Sequence, residues 1–260
     1  MAETELDVLV IGGGITGCGV ALDAASRGLS VGLVEKEDFA SGTSGRSSRL
    51  IHGGVRYLQH YEFGLVQESL RERAILRRIA PHLVRPIPLY GPMPKLRVRL
   101  WFRVGFTMFD GLAVGRNIAR HRAVDSDEMK RAVPGLGKPT KGLVYHECRT
   151  DDARLTLEVA RTASSLGALV ANHAEVTGLL GDGRVNGARV VDRVTGESAD
   201  IRARVTVNAT GVWAEQVHSL GTSATVTLRP SKGIHLVFRE GAIGTRAGLF
   251  LPSAAHDRRL

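Results

Sequence analysis

The chain has 260 residues, 43% hydrophobic and 23% charged, a composition that suits one large globular domain or two modest ones and excludes disorder, collagen and coiled coil. Its two cysteines, Cys18 and Cys148, lack C-x-x-C spacing, which excludes a disulfide framework and a cysteine zinc site. The net charge of +9 is spread along the chain without a nucleic-acid motif, so nucleic acid is not an expected partner.

The stretch from Leu6 to Leu22 contains Asp7 and five glycines and follows no basic region, so it is not read as a targeting peptide. No run of about twenty uncharged apolar residues is present, so no membrane span is expected and the cytoplasm is the expected location. Leu6 to Ile11 reads as a buried parallel strand. Gly12-Gly13-Gly14-Ile15-Thr16-Gly17 satisfies G-x-G-x-x-G, a helix follows from Val20 to Arg27 with Gly28 as its stop, and a second strand, Val31 to Val34, ends at Glu35.

In that pattern Gly12 permits the tight turn, Gly14 lets a pyrophosphate approach the backbone, and Gly17 lets helix and strand pack closely. The helix amino terminus presents unpaired N–H groups to an anion, and Glu35 stands at the spacing of a carboxylate that accepts ribose hydroxyls. A dinucleotide is therefore expected. An NAD domain would continue with strand-helix repeats, whereas residues 38–54 form a Ser- and Gly-rich loop, which favours FAD.

A helix is expected from Phe63 to Ile79, stopped by Pro81, then a proline-punctuated region through Pro94, with sheet returning only after about Gly142. Lys95 to Arg103 is the densest basic patch, interleaved with Leu96, Val98, Leu100, Trp101 and Phe102, and suits an anionic substrate or a membrane surface. Trp101, Gly105, Phe109 and Leu112 share a helical face, read first as core and second as a membrane-facing surface. Asp152 to Leu166 reads as a helix capped by Thr150 or Asp151 and stopped by Gly167, leading to a strand over 168–171. A strand over 175–180 and a meander over 185–203 follow, and Val205 to Asn208 is a further buried strand.

The loop from Ser41 to Leu58, with Tyr61-Glu-Phe-Gly64, Ala80-Pro-His-Leu83, Thr150-Asp-Asp-Ala-Arg-Leu155, Asn208-Ala-Thr-Gly-Val-Trp213 and Arg229-Pro-Ser-Lys-Gly-Ile-His235, resembles the FAD-dependent glycerol-3-phosphate dehydrogenases of the D-amino-acid-oxidase-like superfamily. Two departures are Gly45, where the family usually carries Ser, and Arg49, where it usually carries Lys. The resemblance implies an α/β fold: a Rossmann-like FAD-binding domain, with parallel sheet and β-meander, over 1–68 and 142–215, and an incomplete α+β substrate-binding cap over 69–141 and 216–260. By the same resemblance Ile15, Thr16, Lys36, Thr43, Ser44, Ser47, Ser48, Leu50, Val176, Thr210 and Gly211 join Gly12, Gly14, Gly17 and Glu35 as cofactor contacts.

The implied reaction is oxidation of sn-glycerol 3-phosphate to dihydroxyacetone phosphate, with hydride passing to FAD and electrons then to a quinone or another acceptor such as oxygen. That chemistry needs a cation for the phosphate and a base for the C2 hydroxyl. Arg56 is the expected cation, and His52 and His235 are expected to orient substrate or carry its proton. The other histidines show no metal spacing, so no metal is expected. The resemblance also admits a homodimer and a peripheral contact with the inner face of the cytoplasmic membrane. The family's usual length is about twice this one, so the chain is expected to be an amino-terminal part with weak or absent activity alone. The alternatives are a related flavoenzyme acting on an amine or a 2-hydroxy acid, and a fragment that binds nucleotide without turnover.

Overall fold

The computed structural model describes residues 4–221, 227–239, 241–245 and 247–251. In chain order its elements are β1 (Leu6–Ile11), α1 (Ile15–Ser26), β2 (Val31–Val34), β3 (Leu50–Ile51), α2 (Phe63–Ile79), β4 (Arg85–Pro92), α3 (Leu96–Leu112), β5 (Arg122–Val124), α4 (Ser126–Ala132), β6 (Gly142–Arg149), α5 (Asp152–Ser165), β7 (Leu169–Ala171), β8 (Ala174–Leu179), β9 (Gly187–Asp192), β10 (Ser198–Asn208), α6 (Ala214–His218) and β11 (Gly248–Leu249). They form two compact units, Met1–Ser48 with Asp151–His235, and Arg49–Thr150 with Leu236–Leu260.

The first unit is built on a six-stranded sheet in the order β7-β2-β1-β10-β9-β8. Its β7, β2, β1 and β10 run parallel, while β10, β9 and β8 form an antiparallel meander. β1 is covered on both faces, which is why it reads as a continuous apolar run and not as an alternation. Val10 and Leu33 pack with Cys18, Ala21, Ala24 and Ala25 of α1 and Ala160 and Ala163 of α5, whose small side chains let the two helices lie close. Leu9, Ile11 and Val34 pack on the other face with Val190, Ile201 and Ala203. β10 is one strand of 11 residues: its first half pairs with β9 and its second half with β1. The meander and the buried strand expected separately are thus joined.

The second unit holds a sheet in the order β11-β4-β6-β3, with β5 also on β6. Phe106 of α3 packs on Leu89, Leu143 and Tyr145, while Val66 and Leu70 of α2 meet Phe109 and Ala113.

Four expectations require correction. α1 begins at Ile15, so the glycine turn feeds the helix directly. The proline-punctuated region contains an eight-residue strand, β4, paired along its length with β6. Residues 49–68 and 142–150, expected with the nucleotide-binding domain, belong to the second unit because β3 and β4 both pair with β6. On α3 the buried face is Phe106 and Phe109, and Trp101 is 62% exposed. Residues 252–260 lie outside the described residues.

Candidate functional site

In the first unit, the turn between β1 and α1 is shaped by close backbone contact. Gly12 has φ +110°, and a Cβ there would fall 2.7 Å from the Ala209 carbonyl oxygen. Gly17 is tighter still, since its Cβ would meet the Gly12 carbonyl oxygen at 1.9 Å. These two glycines fix the start of α1 against β1 and the end of β10. A Cβ on Gly14 would meet only the Ser44 hydroxyl oxygen, at 3.2 Å, leaving its backbone open to a ligand. The first helical bond runs from Cys18 N–H to Gly14 O, and no acidic residue sits in the first turn. An anion at this terminus meets backbone donors, and the first turn of the helix itself carries no acidic side chain.

The first unit carries most of the expected cofactor residues. Ser44 Oγ accepts the Ile15 N–H at 2.9 Å, which ties the 43–45 turn to the start of α1. Glu35 lies at the end of β2 with both carboxylate oxygens engaged, Oε2 by Gly13 N–H at 2.6 Å and Oε1 by Glu37 N–H at 2.9 Å. Lys36 stands 4.7 Å above the Trp213 ring. The Thr210 hydroxyl and N–H both bond Asn208 Oδ1, and Gly211 takes φ +59°. Thr16, Thr43 and Ser48 are exposed. Ser47 donates to Asp152 Oδ2 at 2.5 Å, on the first turn of α5. Val176, on β8, packs partly buried against the core beneath the sheet.

Sequence reasoning passed over Gly13, where a Cβ would strike Phe39 and Glu35, and Trp213, whose ring lies against Gly42. The run of three glycines was the available signal for the first. Cys18 lies directly below, its thiol toward Gly13 O, and burial together with Glu35 pushes that thiol up to about 12, so it is inert at neutral pH.

The second unit carries the other expected residues. Leu50 is half-buried on β3, paired with Arg149. His52 and Arg56 flank Gly53-Gly54, and Gly54, at φ +82°, opens the tight turn Val55–His60. The Gly54 N–H donates to His52 Nδ1 at 3.2 Å, which leaves the ring proton on Nε2. Desolvation, then the charges of Arg56 and Arg73, hold the imidazole below its ordinary pKa, so the neutral form is favoured. Arg56 is exposed. Beneath this loop Glu147 takes the Gly53 N–H at 2.8 Å and pairs with Arg73 at 2.5 Å. Neither residue was anticipated. His235 lies in the exposed segment 227–239, which has no regular secondary structure. Among the described residues no group of three His, Cys, Asp or Glu could hold a metal ion.

Residues 7–258 match the family described as FAD dependent oxidoreductase. The chain is 43% identical over 256 residues to the glycerol-3-phosphate dehydrogenase of Mycobacterium leprae, covering 95% of this chain and 43% of that protein. It is 37% identical over 271 residues to the alpha-glycerophosphate oxidase of Streptococcus pneumoniae, covering 100% of this chain and 45% of that protein. Among solved structures, the Bacillus halodurans glycerol-3-phosphate dehydrogenase complexed with FAD matches with a TM-score of 0.65 and 36% identity, over 84% of this chain and 37% of that one. The chain thus spans less than half the length of these relatives.

Proposed function

The chain belongs to the FAD dependent oxidoreductase family, and on that premise we propose that it is the cofactor-binding part of an enzyme that oxidises sn-glycerol 3-phosphate to dihydroxyacetone phosphate, with electrons leaving for a quinone. The reading is carried by 43% identity to a glycerol-3-phosphate dehydrogenase over 95% of the chain. The glycine turn supports the cofactor: the open backbone at Gly14 and a helix start whose N-cap residue is glycine, with no side chain of its own, fit a pyrophosphate.

FAD, when bound, supplies the acceptor for the hydride that leaves C2 of the substrate. The chain's own residues bind and orient. Gly12, Gly14 and Gly17 bring the backbone to the pyrophosphate, with Ile15 and Thr16 at the helix start. Glu35 offers its remaining lone pairs to the ribose, with Val176 beside the adenine. Lys36, Thr43, Ser44, Ser47, Ser48, Leu50, Thr210 and Gly211 complete the proposed cofactor contacts. Arg56 holds the phosphate through parallel hydrogen bonds, each charge-assisted contact worth about 1.5–3 kcal/mol. With its proton on Nε2, His52 donates to a substrate oxygen and does not remove the C2 hydroxyl proton; that task falls to His235.

The full-length protein, reconstituted with FAD, should show the visible band of oxidised flavin, and glycerol 3-phosphate should bleach it anaerobically while D-alanine and sarcosine do not. Bleaching by an amine alone, or no flavin uptake, would overturn the proposal. A second reading, favoured by the 37% identity to a protein named an oxidase, sends the electrons to oxygen. Stoichiometric hydrogen peroxide would decide for it.

Among the described residues no helix is long and apolar enough to cross a membrane. α3 has apolar residues on two faces, however: Phe106 and Phe109 are buried, while Leu96, Leu100, Trp101, Val104 and Met108 are between 43% and 64% exposed. Lys95, Arg97, Arg99 and Arg103 stand along the same first turns. An exposed apolar face with basic residues beside it suits an anionic lipid surface, and supports peripheral attachment at the inner face of the cytoplasmic membrane.

A further inference from the structure

Arg73 on α2 and Glu147 on β6 are 1% and 2% exposed, and they face each other at 2.5 Å. Stability alone does not require charges in such a place, because well-packed apolar residues often serve as well. The pair does something an apolar pair could not. Both carboxylate oxygens of Glu147 accept the Gly53 N–H, at 2.8 and 3.1 Å. Gly53 sits directly on the pair: a Cβ there would fall 2.8 Å from Arg73 Nη1 and 2.7 Å from the Phe109 ring.

Arg73 is braced in turn by the His146 carbonyl at 3.2 Å and Asn117 Oδ1 at 3.4 Å. Asn117 donates to Asp110 of α3 at 2.6 Å, and Asp110 also receives His121 through Nδ1 at 2.7 Å and through its backbone N–H at 3.1 Å. The acceptor for Gly53 is therefore anchored to α2, α3 and β6 together. The next amide, Gly54 N–H, goes to His52 Nδ1. Two successive amides of the loop have assigned acceptors, and the loop carries His52 on one side and Arg56 on the other.

We propose that Glu147 and Arg73 are positioning residues for the substrate: Glu147 pins the Gly53 amide, and so sets the backbone from which His52 and Arg56 reach glycerol 3-phosphate. The inference rests on the substrate reading of Arg56 given above.

The test compares wild-type holoprotein with Glu147→Gln, with the double variant Arg73→Met/Glu147→Leu, and with Arg56→Gln. Three quantities are read: melting temperature, hydrogen exchange of the Gly53 amide by NMR, and affinity for glycerol 3-phosphate by calorimetry. The double variant removes both charges together and so avoids stranding one of them. It should melt lower by the loss of about one hydrogen bond, because the buried Gly53 N–H is left without its acceptor, and it should exchange the Gly53 amide about tenfold faster and bind glycerol 3-phosphate about tenfold more weakly. Wild-type exchange and affinity in the double variant would overturn the proposal. If the double variant fails to fold, Arg73→Leu/Glu147→Met is judged on the same two readouts, and Glu147→Gln, whose Oε1 can still accept the Gly53 N–H, should stay closer to wild type than either double variant. Arg56→Gln separates the two ideas. Affinity lost there but intact in the pair variants overturns the positioning role alone, whereas affinity unchanged in Arg56→Gln overturns the substrate reading itself.

Discussion

Gly17→Ala and Gly19→Ala place the same methyl group two positions apart on α1 and should move the protein in opposite directions. At Gly17 the new Cβ would lie 1.9 Å from the Gly12 carbonyl oxygen and 3.1 Å from its carbon, a backbone group with no rotamer to escape into. Ordinary contact begins at 3.4 Å, so the first turn of α1 must lift by about 1.5 Å. Overpacking costs about 1–3 kcal/mol, and a backbone obstacle places this case near the upper figure. At about 1.36 kcal/mol per tenfold, the same displacement should weaken FAD by about 5- to 160-fold, toward the upper end, if the pyrophosphate rests on this turn. At Gly19 nothing lies within 4 Å. The replacement there removes the helix penalty of glycine and should stabilise by about 0.8–1 kcal/mol with FAD affinity unchanged. Urea midpoints of the apoprotein and flavin fluorescence titrations measure both effects. A Gly17→Ala protein that matched wild type in stability and bound FAD within about twofold would refute the close-packing argument.

Two further perturbations probe the second unit. His146 has a buried Nδ1 without a hydrogen-bond partner, and burial, then Arg122 and Arg73, hold its pKa below 6.5. The unfolded chain therefore takes that proton first, so His146 lowers stability as pH falls through about 6.5 and is neutral at pH about 8. His146→Leu should lose less melting temperature than wild type between those conditions and pH about 5.5; parallel pH profiles would count against the assignment. On α3, Leu100→Glu/Val104→Glu should reduce co-sedimentation with anionic vesicles at least about tenfold, since each buried aliphatic side chain is worth about 1.5–3 kcal/mol. Vesicle binding equal to wild type would remove α3 as the lipid-facing element.

The fold was most legible where one residue type had one physical reason to be present. Val, Leu and Ile in β1 and β2 are buried on both faces, and the glycines between them sit where a Cβ would strike backbone. α5 starts where expected, with Asp151 Oδ1 accepting the Arg154 N–H. β4 was missed because Pro86, Pro88 and Pro92 read as breakers. Their spacing explains the strand. Backbone groups alternate edges along a strand, and Tyr90 O faces β11 through Phe250 N–H. The even-numbered residues therefore turn away from β6, and all three prolines lack a donor only on the edge that β11 covers along Leu89 and Tyr90. Prolines at even spacing are thus compatible with a strand whose other edge carries the ladder.

The candidate site was legible as far as local pattern reaches and no farther. The turn at Gly12 to Gly17 and the acid at Glu35 lie within one strand-helix-strand unit, so spacing alone brings them together. The Gly53 anchor is built from α2 and β6, 74 residues apart at Arg73 and Glu147, and no local rule links those positions. One trace was nevertheless present in the sequence: Val66, Leu70 and Arg73 follow i, i+4, i+7, which puts an arginine on the buried stripe of α2. A guanidinium on such a stripe must be paired, because an isolated buried charge is costly. The stripe therefore implies a buried carboxylate somewhere in the second unit, and Glu147, 2% exposed on β6, is where the fold supplies it. What the stripe cannot disclose is the third member, the Gly53 amide. A backbone N–H leaves no mark on residue type except the missing side chain that lets it approach.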